Sequence, residues 1–134
     1  MEVLRIHHLG IAVHDLDEAV TTYVTLFGAV LEHRAVVADQ GVEAASVLVG
    51  GSRVELLAPT EADSPVGRFL ESRGPGLHHV AYEVADVEVS LAGLRRKGVS
   101  LIDERPRAGL FGLQVAFIHP ESVHGVLTEV VAGG

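Results

Sequence analysis

Four residues carry donor atoms in a pattern that occurs twice. His8 and His79 each follow another histidine, in Ile6-His7-His8-Leu9-Gly10 and Leu77-His78-His79-Val80-Ala81, at an offset of 71. Asp15 and Asp86 follow them at that same offset. Glu55, in Val54-Glu55-Leu56-Leu57-Ala58, is answered by Glu129 in Thr128-Glu129-Val130-Val131-Ala132 at an offset of 74, so the intervening loops differ by three residues. Two imidazoles and two carboxylates form a nitrogen–oxygen donor set for one divalent cation. Co²⁺, Mn²⁺, Ni²⁺, Fe²⁺ or Zn²⁺ suits it in six-coordinate geometry, with two positions left for substrate oxygens. The chain contains no Cys, which excludes thiolate ligation and disulfides. Structural zinc sites prefer closed tetrahedral sets, often with Cys, so this donor set points to chemistry.

Each of these residues has an ordinary explanation when taken alone. A single strand His is more often a hydrogen-bonded core residue than a ligand, and a single strand Glu usually faces water. Recurrence in matching order in two repeats favours the metal reading. A carboxylate in the middle of an apolar strand is costly to bury unless it is paired or bound to a cation. Alternation in a strand puts His8 on one face with Ile6, Gly10 and Ala12, opposite Leu9, Ile11 and Val13. His79 lies with Leu77 and Ala81, and Val80, Tyr82 and Val84 point away. His7 and His78 therefore face the other way and keep the ordinary reading. His14, His33 and His124 read as surface or loop residues, and His119, before Pro120, as a residue that orients its loop.

The elements that must position these groups read as strand, helix and three strands, twice. Asp15 and Asp86 are N-cap residues. After Asp15 the apolar positions Leu16, Ala19, Val20, Tyr23 and Leu26-Phe27 recur at helical spacing, and Gly28 stops the helix. After Asp86, Val87, Leu91 and Leu94 do the same, with Arg95, Arg96 and Lys97 in the last turn and Gly98 at the end. Strands are expected over 29–37, 42–49 and 52–58 in the first repeat, broken at Asp39-Gln40-Gly41 and Gly50-Gly51. In the second they are expected over 99–103, 113–118 and 125–131, with Arg105–Gly112 a loop. Ser64–Leu70 reads as a short connecting helix capped by Ser64, with Pro65 in its first turn.

The fold expected is α+β: two paired βαβββ units forming one concave mixed sheet around the metal site. All 134 residues read as a single domain. Its first repeat covers 4–60, a connector 61–75 and the second repeat 76–132. A net charge of −8 argues against a nucleic-acid partner, and makes an anionic substrate unwelcome unless a cation or local basic residues receive it. No apolar run reaches membrane-span length, and Met1 leads almost directly into strand-like sequence, so the compartment reads as cytoplasmic.

Longer strings carry a resemblance that covers nearly the whole chain. They include His8-Leu9-Gly10-Ile11-Ala12-Val13, Gln40-Gly41-Val42, Val54-Glu55-Leu56-Leu57-Ala58-Pro59-Thr60 and Asp63-Ser64-Pro65-Val66. Gly76-Leu77-His78-His79-Val80-Ala81, Asp103-Glu104-Arg105-Pro106-Arg107, and Phe117-Ile118-His119-Pro120 followed by Gly125-Val126-Leu127-Thr128-Glu129 continue the match. In these the chain resembles the methylmalonyl-CoA epimerases of the vicinal oxygen chelate superfamily. The resemblance implies that His8, Glu55, His79 and Glu129 ligate the metal, Co²⁺ first among the candidates. It also implies a homodimer and interconversion of (R)- and (S)-methylmalonyl-CoA. That reaction removes the proton between a thioester carbonyl and a carboxylate and returns it on the opposite face. A divalent cation chelating both oxygens stabilises the enolate, and Glu129 or Glu55 serves as acid/base if its metal bond lengthens when substrate arrives.

The chain departs from the family at two places. Some members carry a suggested acid/base Glu two residues after the Gln-Gly-Val string, where this chain has Ala44; other members lack it too. Glu43, one residue earlier, is expected to face away from the site because a one-residue shift reverses the face. Glu121 follows His119-Pro120 where a Lys is common; if that Lys holds CoA phosphates, Arg105 or Arg107 must compensate. Rival readings are a glyoxalase I-type lyase, an extradiol dioxygenase and a non-catalytic drug-binding resistance protein. The Gly-Val-Leu-Thr-Glu ending and the Asp-Ser-Pro-Val connector argue against the lyase. The fourth ligand, Glu55, argues against a two-His, one-carboxylate iron site. The intact ligand set disfavours the binding protein.

Overall fold

Carboxylates and hydroxyls start the helices, and glycines end two of them. A computed structural model describes residues 1–133. Its strands are β1 (Arg5–Ala12), β2 (Val30–Val37), β3 (Val42–Val49), β4 (Ser52–Pro59), β5 (Gly76–Glu83), β6 (Arg107–Ala108), β7 (Gln114–Ile118) and β8 (Thr128–Ala132). Its helices are α1 (Leu16–Phe27), α2 (Pro65–Arg73) and α3 (Val87–Arg96). The Asp15 carboxylate accepts the Glu18 N–H at 3.0 Å, the Asp86 carboxylate that of Val89 at 3.0 Å, and the Ser64 hydroxyl that of Gly67 at 3.1 Å. Each satisfies a backbone donor that the first helical turn leaves open. Gly28 closes α1 in the left-handed region, at φ 64°, where a glycine has no Cβ to clash. α2 runs past Leu70 to Arg73 and ends at Gly74. No helix among the described residues is long and apolar enough to cross a membrane.

The strand order is β2-β3-β4-β1 in the first repeat and β5-β8-β7-β6 in the second. The chain divides into two units, Met1–His7 with His79–Gly134, and His8–His78. In the second of these, β1 pairs in parallel with β4, and β2, β3 and β4 form an antiparallel meander. Leu16 and Ala19 of α1 pack with Ala45, Val47, Val54, Leu56 and Ala58 from one face of that meander. The other unit repeats the plan: β5 pairs in parallel with β8, and β8 with β7 antiparallel. There Val87 and Leu91 of α3 pack with Val84, Ala116, Ile118, Val130 and Ala132. Strand alternation therefore sends every second residue to a helix and leaves the rest for the opposite face.

The strand expected over 99–103 does not form. Leu101 makes only an isolated bridge to Ile118, and β7 is flanked instead by the two-residue β6, which lies inside the stretch expected as a loop. A side chain explains the difference. The Asp103 carboxylate accepts the Phe117 N–H at 2.8 Å, while the Ile102 and Asp103 N–H groups both reach the Phe117 carbonyl, at 3.0 and 3.2 Å. An aspartate has taken the donor that a longer ladder needs, so pairing stops there. β8 begins at Thr128, three residues after the expected start, because Gly125 adopts φ 91° and turns the chain.

Candidate metal centre

In the His8–His78 unit, Gly10 stands opposite Glu55, and Ser46 faces Glu55 from the other side. His8 is two residues from Gly10, so it shares that face with Glu55, Ser46 and Ala44. Gly10 has no side chain and Ala44 only a methyl group on this face. His8 and Glu55 are each 2% exposed, and His8 Nδ1 lies 3.3 Å from Glu55 Oε2. Burial pushes the Glu55 carboxyl up to about 7, with the Arg53 guanidinium pulling the other way. Arg53 occupies the same face two residues along. Its Nε donates to Glu32 Oε1 at 2.9 Å, and the Ser46 hydroxyl donates to the same oxygen at 3.0 Å.

The other unit places its groups in the same way. Ala81 stands opposite Glu129 from β5, and Phe117 opposite Glu129 from β7. His79 is two residues from Ala81 and shares this face, where Ala81, Leu113, Val115 and Val131 form an apolar cluster. The His79 and Phe117 rings meet edge to face, with centroids 5.8 Å apart. The small residue beside each carboxylate, Gly10 or Ala81, comes from the strand that carries the histidine.

His8 and Glu55 in one unit, and His79 and Glu129 in the other, are all buried. An imidazole and a buried carboxylate on one strand face of each unit, with the Glu55 carboxyl destabilised as an anion by its burial, are a donor set that fits a divalent cation.

The remaining histidines separate as alternation requires. His7 is buried and His78 half-buried on the opposite faces of their strands. The His78 ring packs edge-on to Phe69 at 5.0 Å, and burial pushes its pKa down. His14, His33 and His124 are exposed. His119 Nδ1 accepts the Glu121 N–H at 3.1 Å, so it does orient its loop. Glu43 pairs with Ala58 on the helix-packed face and accepts from Arg34 Nε at 2.9 Å. It points away from Glu55, and position 44 faces the site.

Sequence reasoning missed Phe117, Ser46 and Arg53 as neighbours of the candidate ligands. Arg53 carried a signal, since it lies two residues before Glu55 and must share its face. Phe117 and Ser46 carried none, because their places depend on register across strands.

The family model for the Glyoxalase/Bleomycin resistance protein/Dioxygenase superfamily matches residues 7–117. The chain belongs to this superfamily. Within the superfamily it is similar to a Streptomyces coelicolor methylmalonyl-CoA epimerase variant solved in complex with 2-nitronate-propionyl-CoA. Their TM-score is 0.95 at 41% identity, covering 99% of this chain and 96% of that one. The Mycobacterium tuberculosis methylmalonyl-CoA epimerase superposes with a TM-score of 0.94 at 37% identity, over 98% and 89% of the two chains. An ethylmalonyl-CoA/methylmalonyl-CoA epimerase of Cereibacter sphaeroides is 33% identical over 128 residues, 94% of this chain and 96% of that protein. The α+β fold of two βαβββ units expected from the repeat is the one these superfamily structures share.

Proposed function

We propose that the chain is an isomerase that interconverts (R)- and (S)-methylmalonyl-CoA, with His8, Glu55, His79 and Glu129 holding one divalent cation, Co²⁺ first among the candidates. The observation that carries the reading is that each unit buries one histidine and one glutamate on a single strand face, His8 with Glu55 and His79 with Glu129, in a chain that is similar over nearly its whole length to proteins named as methylmalonyl-CoA epimerases. When bound, such a cation supplies positive charge to the thioester and carboxylate oxygens as charge gathers on them. Glu129 accepts the α-proton at a carboxylate oxygen, and Glu55 is our candidate to return a proton on the other face. The buried cluster of Ala81, Leu113, Val115 and Val131 makes the strand face around Glu129 apolar. Ala44 supplies no acid/base, and Glu43 faces the wrong way to replace one.

The active form is read as a homodimer. Leu26, Phe27 and Val30, at the end of α1 and on the terminal strand β2, are 67%, 58% and 61% exposed. Apolar side chains beside an open strand edge support pairing with a second copy.

The test is α-proton exchange. Co²⁺-loaded protein incubated with methylmalonyl-CoA in D₂O is expected to place deuterium at the α-carbon, followed by mass spectrometry. Glu129→Gln, assayed at saturating metal, is expected to lose exchange by about a hundredfold or more while still binding substrate. Glu43→Gln is expected to exchange normally. Absence of deuterium from the metal-loaded native protein would overturn the reading.

A further inference from the structure

Strand register carries one more residue onto the face of Glu129 and His79. Arg107 of β6 stands opposite Val115 of β7, Val115 opposite Val131 of β8, and Phe117 opposite Glu129. Directly opposed residues share a face, so Arg107, Val115, Phe117, Val131 and Glu129 all lie on one side of the sheet. The Arg107 guanidinium sits over the Phe117 ring, its carbon 5.3 Å from the centroid, and Phe117 in turn meets His79 at 5.8 Å. The cation is thus one aromatic ring away from a candidate ligand.

Two contacts hold it there. The first is the ring face itself, which attracts a guanidinium. The second is Asp103, whose Oδ2 lies 3.4 Å from Arg107 Nε and also accepts the Phe117 N–H at 2.8 Å. Asp103 is only 17% exposed along its side chain, and Arg107 is 45% exposed. Among the described residues these are the contacts made by the Arg107 guanidinium. They use the Nε side and the flat face, and leave the two-pronged Nη edge directed elsewhere. That edge matches two oxygens of a carboxylate or phosphate. Arg5, Arg34, Arg53, Arg68 and Arg95 also pair with carboxylates, those of Glu83, Asp17 with Glu43, Glu32, Asp63 and Glu104; what sets Arg107 apart is its place over the Phe117 ring on the face of Glu129. In a chain of net charge −8, an anionic substrate needs such a local cation to be received.

We propose that Arg107 binds an anionic oxygen group of the acyl-CoA substrate, its free carboxylate or its phosphates, and that Asp103 and Phe117 position the guanidinium. This rests on the proposed function for the kind of substrate, and its geometry is independent of the metal. Arg107 is therefore a substrate-binding residue, with its effect on KM.

Arg107→Gln, assayed with methylmalonyl-CoA at saturating Co²⁺, is expected to raise KM about tenfold with kcat within about twofold, the size of one lost charge-assisted bidentate contact. Arg107→Lys, which keeps the charge and loses the planar fork, is expected to recover part of the loss. Methylmalonyl-pantetheine, which lacks the CoA phosphates, separates the two sources. An equal KM rise with both substrates assigns the carboxylate, and a rise with the CoA ester alone assigns the phosphates. Arg96→Gln, the same charge change at the exposed end of α3, is the control. An unchanged KM with both substrates in Arg107→Gln, or an equal rise in Arg96→Gln, overturns the proposal. If the native protein shows no α-proton exchange, the proposed reaction fails, and calorimetric affinity for methylmalonyl-CoA in the two glutamine variants still decides the role of Arg107.

Discussion

His8 and His79 differ from His7 and His78 by one position, and in a strand one position is one face. On one side the imidazoles lie with Glu55 and Glu129. On the other His78 packs against Phe69. Replacement of either His8 or His79 by Ala is expected to abolish tight Co²⁺ or Mn²⁺ binding, since most of the donors left are carboxylates. His7→Ala and His78→Ala are expected to leave about one metal per chain, counted by elemental analysis after dialysis. Equal loss in all four variants would contradict the face assignment. The same reasoning explains why Glu43 does not replace the missing acid/base at Ala44. It is adjacent in sequence and tied to Arg34 on the reverse face.

Among the elements, β2, β3 and β4 are tied by a polar cluster on the face that carries Glu55. Glu32 sits where the β2–β3 register shifts between Leu31 and His33, and its carboxylate accepts from both Arg53 and Ser46. The Arg53 hydrogen bond is the largest influence on Glu32 and holds its carboxyl below the usual range, against a smaller opposing effect of burial. A folded-state pKa below the unfolded value stabilises the fold at pH above about 4.5, and the contribution disappears as pH falls through the lower folded value. Glu32→Gln is therefore expected to lower stability at neutral pH by less than about 1 kcal/mol, as for a partly exposed pair. The difference from the native protein is expected to vanish in acid. Urea unfolding at several pH values checks this, and a gap that widens in acid would contradict it.

At the scale of the whole molecule, the two open questions are what receives an anionic substrate and what covers the exposed apolar residues. Net charge answers part of the first. With eighteen acidic residues against ten basic ones, long-range attraction for a CoA ester is absent, so specific cations must supply it locally. For the second, a homodimer is expected by light scattering at micromolar concentration. Phe27→Glu together with Val30→Glu is expected to give a monomer with an unchanged circular dichroism spectrum. A native protein that already runs as a monomer would contradict the dimer and leave the fold untouched.

What the sequence by itself determined is whatever depends on residues near one another along the chain. The caps at Asp15, Ser64 and Asp86, the helical stripes behind them, and the faces of His8, His79, Glu55 and Glu129 follow from periods of 3.6 and 2 and from local hydrogen bonding. Duplication of the pattern carried the likeness of the two halves and of their donor groups. The tertiary structure alone decided what depends on register between distant strands. Asp103 ends the expected 99–103 strand because its carboxylate takes a β7 amide, a contact no local pattern announces. Phe117 reaches His79, and Arg107 reaches Phe117, because loops of particular length set β6, β7 and β8 against one another. A slip of one residue in that register would send Phe117 or Arg107 to the helix-packed face.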